Sequence, residues 1–167
     1  MTTRTYTAFV DGACLNNGTV IARAGWGVLL RNEAGEVLEL AGTLVDGQHP
    51  TNQRAELTAA IEALKVLKNH AQVDLHTDSK YVVNGVTEWL AKWKTNGWKT
   101  SSKKPVENMD LWQALDALLD MHSVTAHWIK GHSGHPENER ADALAGHAAE
   151  FQKAHSKRLP APETVSA

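Results

Sequence analysis

The nine residues Val73-Asp74-Leu75-His76-Thr77-Asp78-Ser79-Lys80-Tyr81 constrain this chain most. Val73, Leu75 and Thr77 alternate with Asp74, His76 and Asp78, the period-two pattern of a half-buried strand. At Ser79 the alternation stops and a short helical run begins. A strand that ends in aspartate just ahead of a helix sets a carboxylate at the carboxyl end of a sheet, where open α/β sheets hold ligands. The commonest duty of such an aspartate is only a turn or a cap. Its meaning therefore depends on what the rest of the chain brings beside it.

Ahead of this stretch, Thr5 to Val10 reads as a strand that ends in Asp11-Gly12. Ala24 to Leu30 and Val37 to Gly42, joined through Gly35, complete an antiparallel meander. Pro50-Thr51-Asn52 opens a helix that runs to about Lys68, with Leu57, Ala60, Ile61, Leu64 and Leu67 on its apolar face and Glu56 on the flank. Beyond Asp78 the pattern predicts two short helices, from Ser79 to about Gly85 and from about Thr87 to Lys94. An aperiodic stretch follows to Pro105, then an amphipathic helix from Asn108, and a last strand from Ser123 to Ile129. After the loop Gly131 to Pro136, a final helix to about Lys153 turns Ala141, Leu144, Ala145 and Ala148 inward.

The element order βββ-α-β-α-α-α-β-α predicts an α/β fold with a five-stranded mixed sheet, three strands antiparallel and two parallel, flanked by helices. Residues 1–152 are expected to form one domain. Residues 153–167, with Pro160, Pro162 and few apolar side chains, are expected to be a disordered tail.

The 167-residue length suits one core. No run of 18 apolar residues exists to span a membrane, and Met1 to Tyr6 lacks the look of a signal peptide. Cys14 is the only cysteine, which excludes an internal disulfide and points to a reducing cytoplasm. The net charge of −2 conceals an asymmetry. Between Lys92 and Lys104 lie five of the 17 basic side chains and none of the 19 acidic ones. A positive island on an acidic body suggests local docking of a polyanion.

Four acids share comparable addresses: Asp11 and Asp78 at strand ends, Glu56 near a helix start, and Asp142 in the second turn of the last helix. Taken singly, each reads as a solvated surface acid. If the first and fourth strands lie side by side and parallel, however, Asp11 and Asp78 become neighbours and Glu56 reaches them from the connecting helix. Such like charges would repel without a cation. Oxygen donors without cysteine favour Mg²⁺ or Mn²⁺ over zinc. Two hard ions about 3.5–4 Å apart suit phosphoryl transfer, activating water and stabilising the leaving oxygen.

His132, between Gly131 and Gly134, adds a loop imidazole suited to proton shuttling, although a loop histidine is more often incidental. Trp89 and Trp93, spaced i, i+4, share a helix face. They either pack that helix on the core or, with Trp98 and the lysines, cradle a nucleic-acid backbone. No Walker or dinucleotide glycine motif is present.

With these residues in view the chain resembles the bacterial-like type 1 ribonucleases H from about Thr5 to Phe151. The matching stretches are Asp11-Gly12-Ala13-Cys14, Thr51 to Leu57, Thr77-Asp78-Ser79, Trp89 through Gly97-Trp98-Lys99-Thr100, and Gly131-His132 through Asn138-Glu139-Arg140-Ala141-Asp142. The resemblance implies a ribonuclease H-like fold and endonucleolytic hydrolysis of the RNA strand of RNA/DNA hybrids, leaving 3′-hydroxyl and 5′-phosphate ends. It implies two Mg²⁺ ions, replaceable by Mn²⁺, on Asp11, Glu56, Asp78 and Asp142, with His132 assisting proton transfer or product release.

It further implies that Asn17, Asn52 and Gln53 read the RNA strand through its 2′-hydroxyls. Trp89, Trp93 and Ser101 would hold the DNA strand, and Thr51 and Asn108 a DNA phosphate. The lysine island, including Lys94 and Lys99, would be the family's basic protrusion. A monomer is expected. The loop from Asn16 to Ala24 is longer than the compact bacterial pattern, and Lys80 receives no role. Two alternatives stay open: the same fold acting on DNA, and a catalytically inactive hybrid-binding module.

Overall fold

The computed structural model describes residues 3–44 and 49–163. Its centre is β1 (Arg4–Leu15). β2 (Arg23–Asn32) lies antiparallel on one side, and β4 (Ala71–Thr77) lies parallel on the other. The sheet has six strands in the order β5-β4-β1-β2-β3-β6. β3 (Val37–Thr43) pairs with β2, and β5 (Ser123–Trp128) runs parallel to β4.

The sixth strand corrects the expectation of five, and it lies in the segment expected to be disordered. β6 (His155–Leu159) pairs antiparallel with β3, setting Ser156 opposite Leu40 and His155 opposite Ala41. Its order comes from backbone pairing and from one side-chain contact, His155 Nε2 to Glu39 Oε1 at 3.2 Å, not from apolar burial. Residues 164–167 of that segment lie outside the described residues.

Alternation along the strands divides the core. Tyr6, Ala8 and Val10 of β1, with Val73 and Leu75 of β4, face α1 (Asn52–Lys65) and α4 (Met109–Met121). On the opposite face, Phe9 and Leu29 meet Ala141 of α5 (Pro136–Phe151). The small side chains of α5 let it lie directly on β2. A Cβ on Gly27 would stand 2.3 Å from the Ala141 carbonyl oxygen, so only glycine admits this contact. Pro136 occupies the first turn of α5, where its missing N–H costs nothing.

The break expected near Gly85 is absent. α2 (Lys80–Asn84), a π-helical turn over Gly85–Trp89 and α3 (Leu90–Asn96) form one continuous rod. Gly85 is there for packing rather than termination, since a Cβ would lie 1.9 Å from the Trp112 ring. Around that fully buried indole gather Tyr81, Trp89 and Trp93, with ring centroids 5.2–6.4 Å away. Each new aromatic contact adds to area burial, and the π-turn rephases the helix so that all of them reach the same partner. α3 ends at Gly97 in the left-handed conformation, the usual helix stop.

Candidate active site

Chain connectivity gathers the four acids. β1 and β4 run parallel with Phe9 opposite His76, so two further residues bring Asp11 level with Asp78. Asp11 is 5 % exposed, and one of its oxygens accepts the Gly12 amide at 2.9 Å. Gly12 is also what admits Glu56. A Cβ there would lie 2.4 Å from the Glu56 backbone nitrogen, so the start of α1 is pressed against β1 at this point. Asp142 reaches Asp11 from the opposite face, carried by α5.

The electrostatics report how close the group is. Burial first, then the Asp78 carboxylate, then a proton shared with Asp142 push Asp11 up to about 9. Burial likewise raises Asp78, where a hydrogen bond with Asp11 and the nearby His132 imidazole pull the other way. Glu56 is raised by burial; the hydroxyl of Ser79 opposes that shift, and Asp78 adds to it. Ser79 Oγ donates to Glu56 Oε2 at 2.7 Å.

Among the described residues no three Asp, Glu, His or Cys side chains stand as a ready-made ion cage. The donor set nonetheless fits hard divalent cations. It offers carboxylate oxygens alone, and the mutual crowding that raises Asp11 and Asp78 is charge that a cation would neutralise. Of the four, Asp11, Asp78 and Asp142 form the tight group, with Glu56 joined to it through Ser79 and Asp78.

His132 is exposed on its loop with φ +55°. The loop is braced by Ser133 Oγ, which donates to the Lys130 carbonyl at 2.5 Å. Asn17 and Asn52 meet, the Asn52 amide donating to Asn17 Oδ1 at 3.2 Å. Gln53 is exposed beside them in the first turn of α1. This ties the long loop after β1 to the N-terminus of α1. Two successive turns order its start, through Thr19 N to Asn16 O and Ala22 N to Thr19 O.

Thr51 and Asn108 both have structural partners. Thr51 caps α1 by accepting the Arg54 amide at 3.1 Å. Asn108 accepts from the Arg54 guanidinium at 3.2 Å and donates to the Tyr81 hydroxyl at 3.0 Å. Arg54, 5 % exposed, also donates to both oxygens of Asp110 at 3.0 and 2.6 Å. The sequence reading missed Arg54, the residue that draws these two positions together. A buried arginine on an otherwise alanine- and leucine-rich helix face is the signal that could have revealed it, since such a charge requires partners.

The tryptophans pack. Trp89 and Trp93 are half-buried against Trp112, with Trp98 6.1 Å from Trp93. The lysines divide into two sets. Lys94 pairs with Asp116 at 3.3 Å, whereas Lys99, Lys103 and Lys104 are exposed on a turn closed by Thr100 N to Lys104 O at 2.7 Å. Ser101 is exposed at its tip. A cavity of about 720 Å³ lies elsewhere, at the amino end of β1 and β4 beside Arg4, Lys68 and His70. None of the four acids lines that cavity.

Fold and site together define an α/β protein of the ribonuclease H-like class, with a carboxylate cluster at the carboxyl end of its two central parallel strands. The family model for RNase H matches residues 3–150. The ribonuclease H of Rhizobium johnstonii is 56 % identical over 138 residues, covering 82 % of this chain and 86 % of the relative. That of Hydrogenovibrio crunogenus is 56 % identical over 140 residues, covering 84 % and 92 %. Among solved structures, LC9-RNase H1, described as a type 1 RNase H with the type 2 active-site motif, superposes with a TM-score of 0.82. It is 31 % identical, and the match covers 96 % of this chain and 79 % of that one. The chain belongs to the ribonuclease H family.

Proposed function

We propose that this chain is an endonuclease that hydrolyses the RNA strand of RNA/DNA hybrids, leaving 3′-hydroxyl and 5′-phosphate ends. The observation that carries this is the group made by buried Asp11 with half-buried Asp78 and Asp142, and Glu56 at its edge, in which burial and the neighbouring carboxylates raise Asp11, Asp78 and Glu56 and so favour a cation. These four residues would hold two Mg²⁺ ions, or Mn²⁺ in their place. When bound, such ions activate water and stabilise the leaving oxygen at the scissile phosphate.

The chain's own residues do the rest. Asn17, Asn52 and Gln53 present amide groups to the RNA strand, whose 2′-hydroxyls distinguish it from DNA. His132 exchanges a proton at the mouth of the cluster, where its loop leaves the ring exposed. Thr51 and Asn108, held by Arg54, offer polar groups to a phosphate of the DNA strand. Half-buried Trp89 and Trp93, with Ser101, offer apolar and polar contact to the same strand. Lys94, Lys99 and the rest of the island add charge. The enzyme acts as a monomer in the cytoplasm.

The test is cleavage of an end-labelled RNA as RNA/DNA hybrid, as RNA duplex and as single strand, with Mg²⁺ or EDTA. Metal-dependent cutting of the hybrid alone is expected. Replacing Asp78 by Asn should lower that cutting by about two or more orders of magnitude, the scale of lost charge stabilisation at a reacting phosphate. A folded sample that leaves the hybrid intact overturns the proposal.

A further inference from the structure

We propose that Lys80, held on the face of Trp128, is a substrate-phosphate contact beside the carboxylate cluster, and that Trp128 is the positioning residue that presents it. This rests on the hybrid-cleaving reading above and extends it to a pair of residues outside that assignment.

The Lys80 ammonium lies 4.9 Å from the centroid of the Trp128 ring, within reach of a cation–π attraction. Trp128 is anchored. It stands opposite Thr77 in the β4–β5 ladder, and its Nε1 donates to the backbone carbonyl of Asp78 at 3.1 Å. The ring is therefore fixed to the residue that carries a cluster carboxylate, yet it stays 46 % exposed. A large indole left open at the rim of a polar site, with a cation laid on it, is not explained by core packing.

Lys80 has no carboxylate partner among the described residues, including the four acids of the cluster. Its charge is thus held in place without being neutralised. Lys94, on the same continuous rod, is instead paired with Asp116. Fourteen residues separate the two, roughly 20 Å of helix at 1.5 Å per residue. A nucleic acid lying along the rod would meet unneutralised charge at the Lys80 end, beside the carboxylates, and again beyond the far end at exposed Lys99, Lys103 and Lys104. Phosphate is the ligand chemistry that suits an unneutralised, pre-positioned ammonium there.

The experiment is steady-state cleavage of the hybrid by the full chain across a series of salt concentrations. Lys80→Ala is expected to raise KM about three- to tenfold with little change in kcat. It should also reduce the slope of log kcat/KM against log salt by about one, the signature of one lost phosphate contact. Lys80→Arg should keep the slope. Trp128→Leu should reproduce the Lys80→Ala loss, and the double variant should be no worse than Trp128→Leu alone, because the two act as one unit. Trp128→Phe, which keeps an aromatic face, should fall between.

A Lys80→Ala enzyme with the parent's KM and salt slope overturns the proposal, as does one that loses kcat at an unchanged slope. If the parent itself neither binds nor cuts the hybrid, the functional reading falls and this inference with it. If the parent cuts normally and the variant is indistinguishable from it, only this inference falls.

Discussion

Ser79 Oγ donates to Glu56 Oε2 at 2.7 Å and accepts the Val82 amide at 3.2 Å, so one hydroxyl both holds the Glu56 carboxylate and caps α2. Ser79 is 5 % exposed. A single buried oxygen thus joins α1, which carries Glu56, to the strand end that carries Asp78.

Ser79→Ala should therefore cost twice. Loss of the cap is worth about 1 kcal/mol of stability, readable by urea unfolding. Release of Glu56 should lower kcat by about tenfold, because removing one hydrogen bond to a half-buried carboxylate weighs about 1.5–3 kcal/mol before relaxation. Unchanged cation dependence and kcat in a destabilised variant would reduce Ser79 to a cap alone.

Neutralising a carboxylate in the crowded cluster should stabilise the cation-free protein. Asp11 is raised to about 9 by burial first and then by Asp78 and Asp142, so at neutral pH folding without a cation requires it to take up a proton, a cost that Asp11→Asn removes. A higher Tm in EDTA, a smaller rise on adding Mg²⁺, and loss of cleavage are expected together. A Tm in EDTA below the parent's would show that Asp11 serves mainly as a structural acceptor.

Acid should release the C-terminal strand. Glu39, buried in β3, accepts from Arg140 at 2.6 and 2.9 Å and from His155 at 3.2 Å. Arg140 chiefly, with help from His155, holds its carboxyl below the usual range. A carboxylate lowered in the native state contributes stability that is complete above its unfolded pKa, about 4.3, and lost as pH falls through the native value. Arg140 is half-exposed, so solvent screening limits the gain. Glu39→Gln should cost about 1–2 kcal/mol at pH 7 and flatten the stability curve below about pH 4.5. Thermal unfolding from pH 2 to 7 measures both effects, and a parallel shift of the whole curve would assign the loss to packing.

The exposed lysines should set salt sensitivity. Lys99, Lys103 and Lys104 have no ion-pair partner among the described residues, whereas Lys94 is paired with Asp116. Replacing the three with alanine should raise KM and flatten the salt slope by up to about three, while Lys94→Ala should do less than any one of them. An unchanged slope in the triple variant would turn the island away from substrate.

What escaped the sequence had identifiable causes. β6 carries Lys157 and Arg158 with little burial, a composition suited to an edge strand but free of period-two apolar signal. Gly85 reads as a breaker, yet it is fixed by a contact with Trp112, 27 residues away. Arg54 offered only its oddness on an apolar helix face, because its partners Asn108 and Asp110 come from a distant turn.

The periodicities that mark β1, β4, α1 and α5, and the placing of Asp11, Glu56, Asp78 and Asp142 near the ends of those elements, are local properties that the sequence by itself determined. Burial repeats with the pitch of each element, so these could be read without a partner. Tertiary structure alone decided that four carboxylates spread over 132 positions gather in one site. That outcome depends on the parallel register of β1 with β4, on the close approach that Gly12 allows to α1, and on α5 closing over β2. Each is a long-range packing choice, set by which faces bury one another and not by any short stretch of chain.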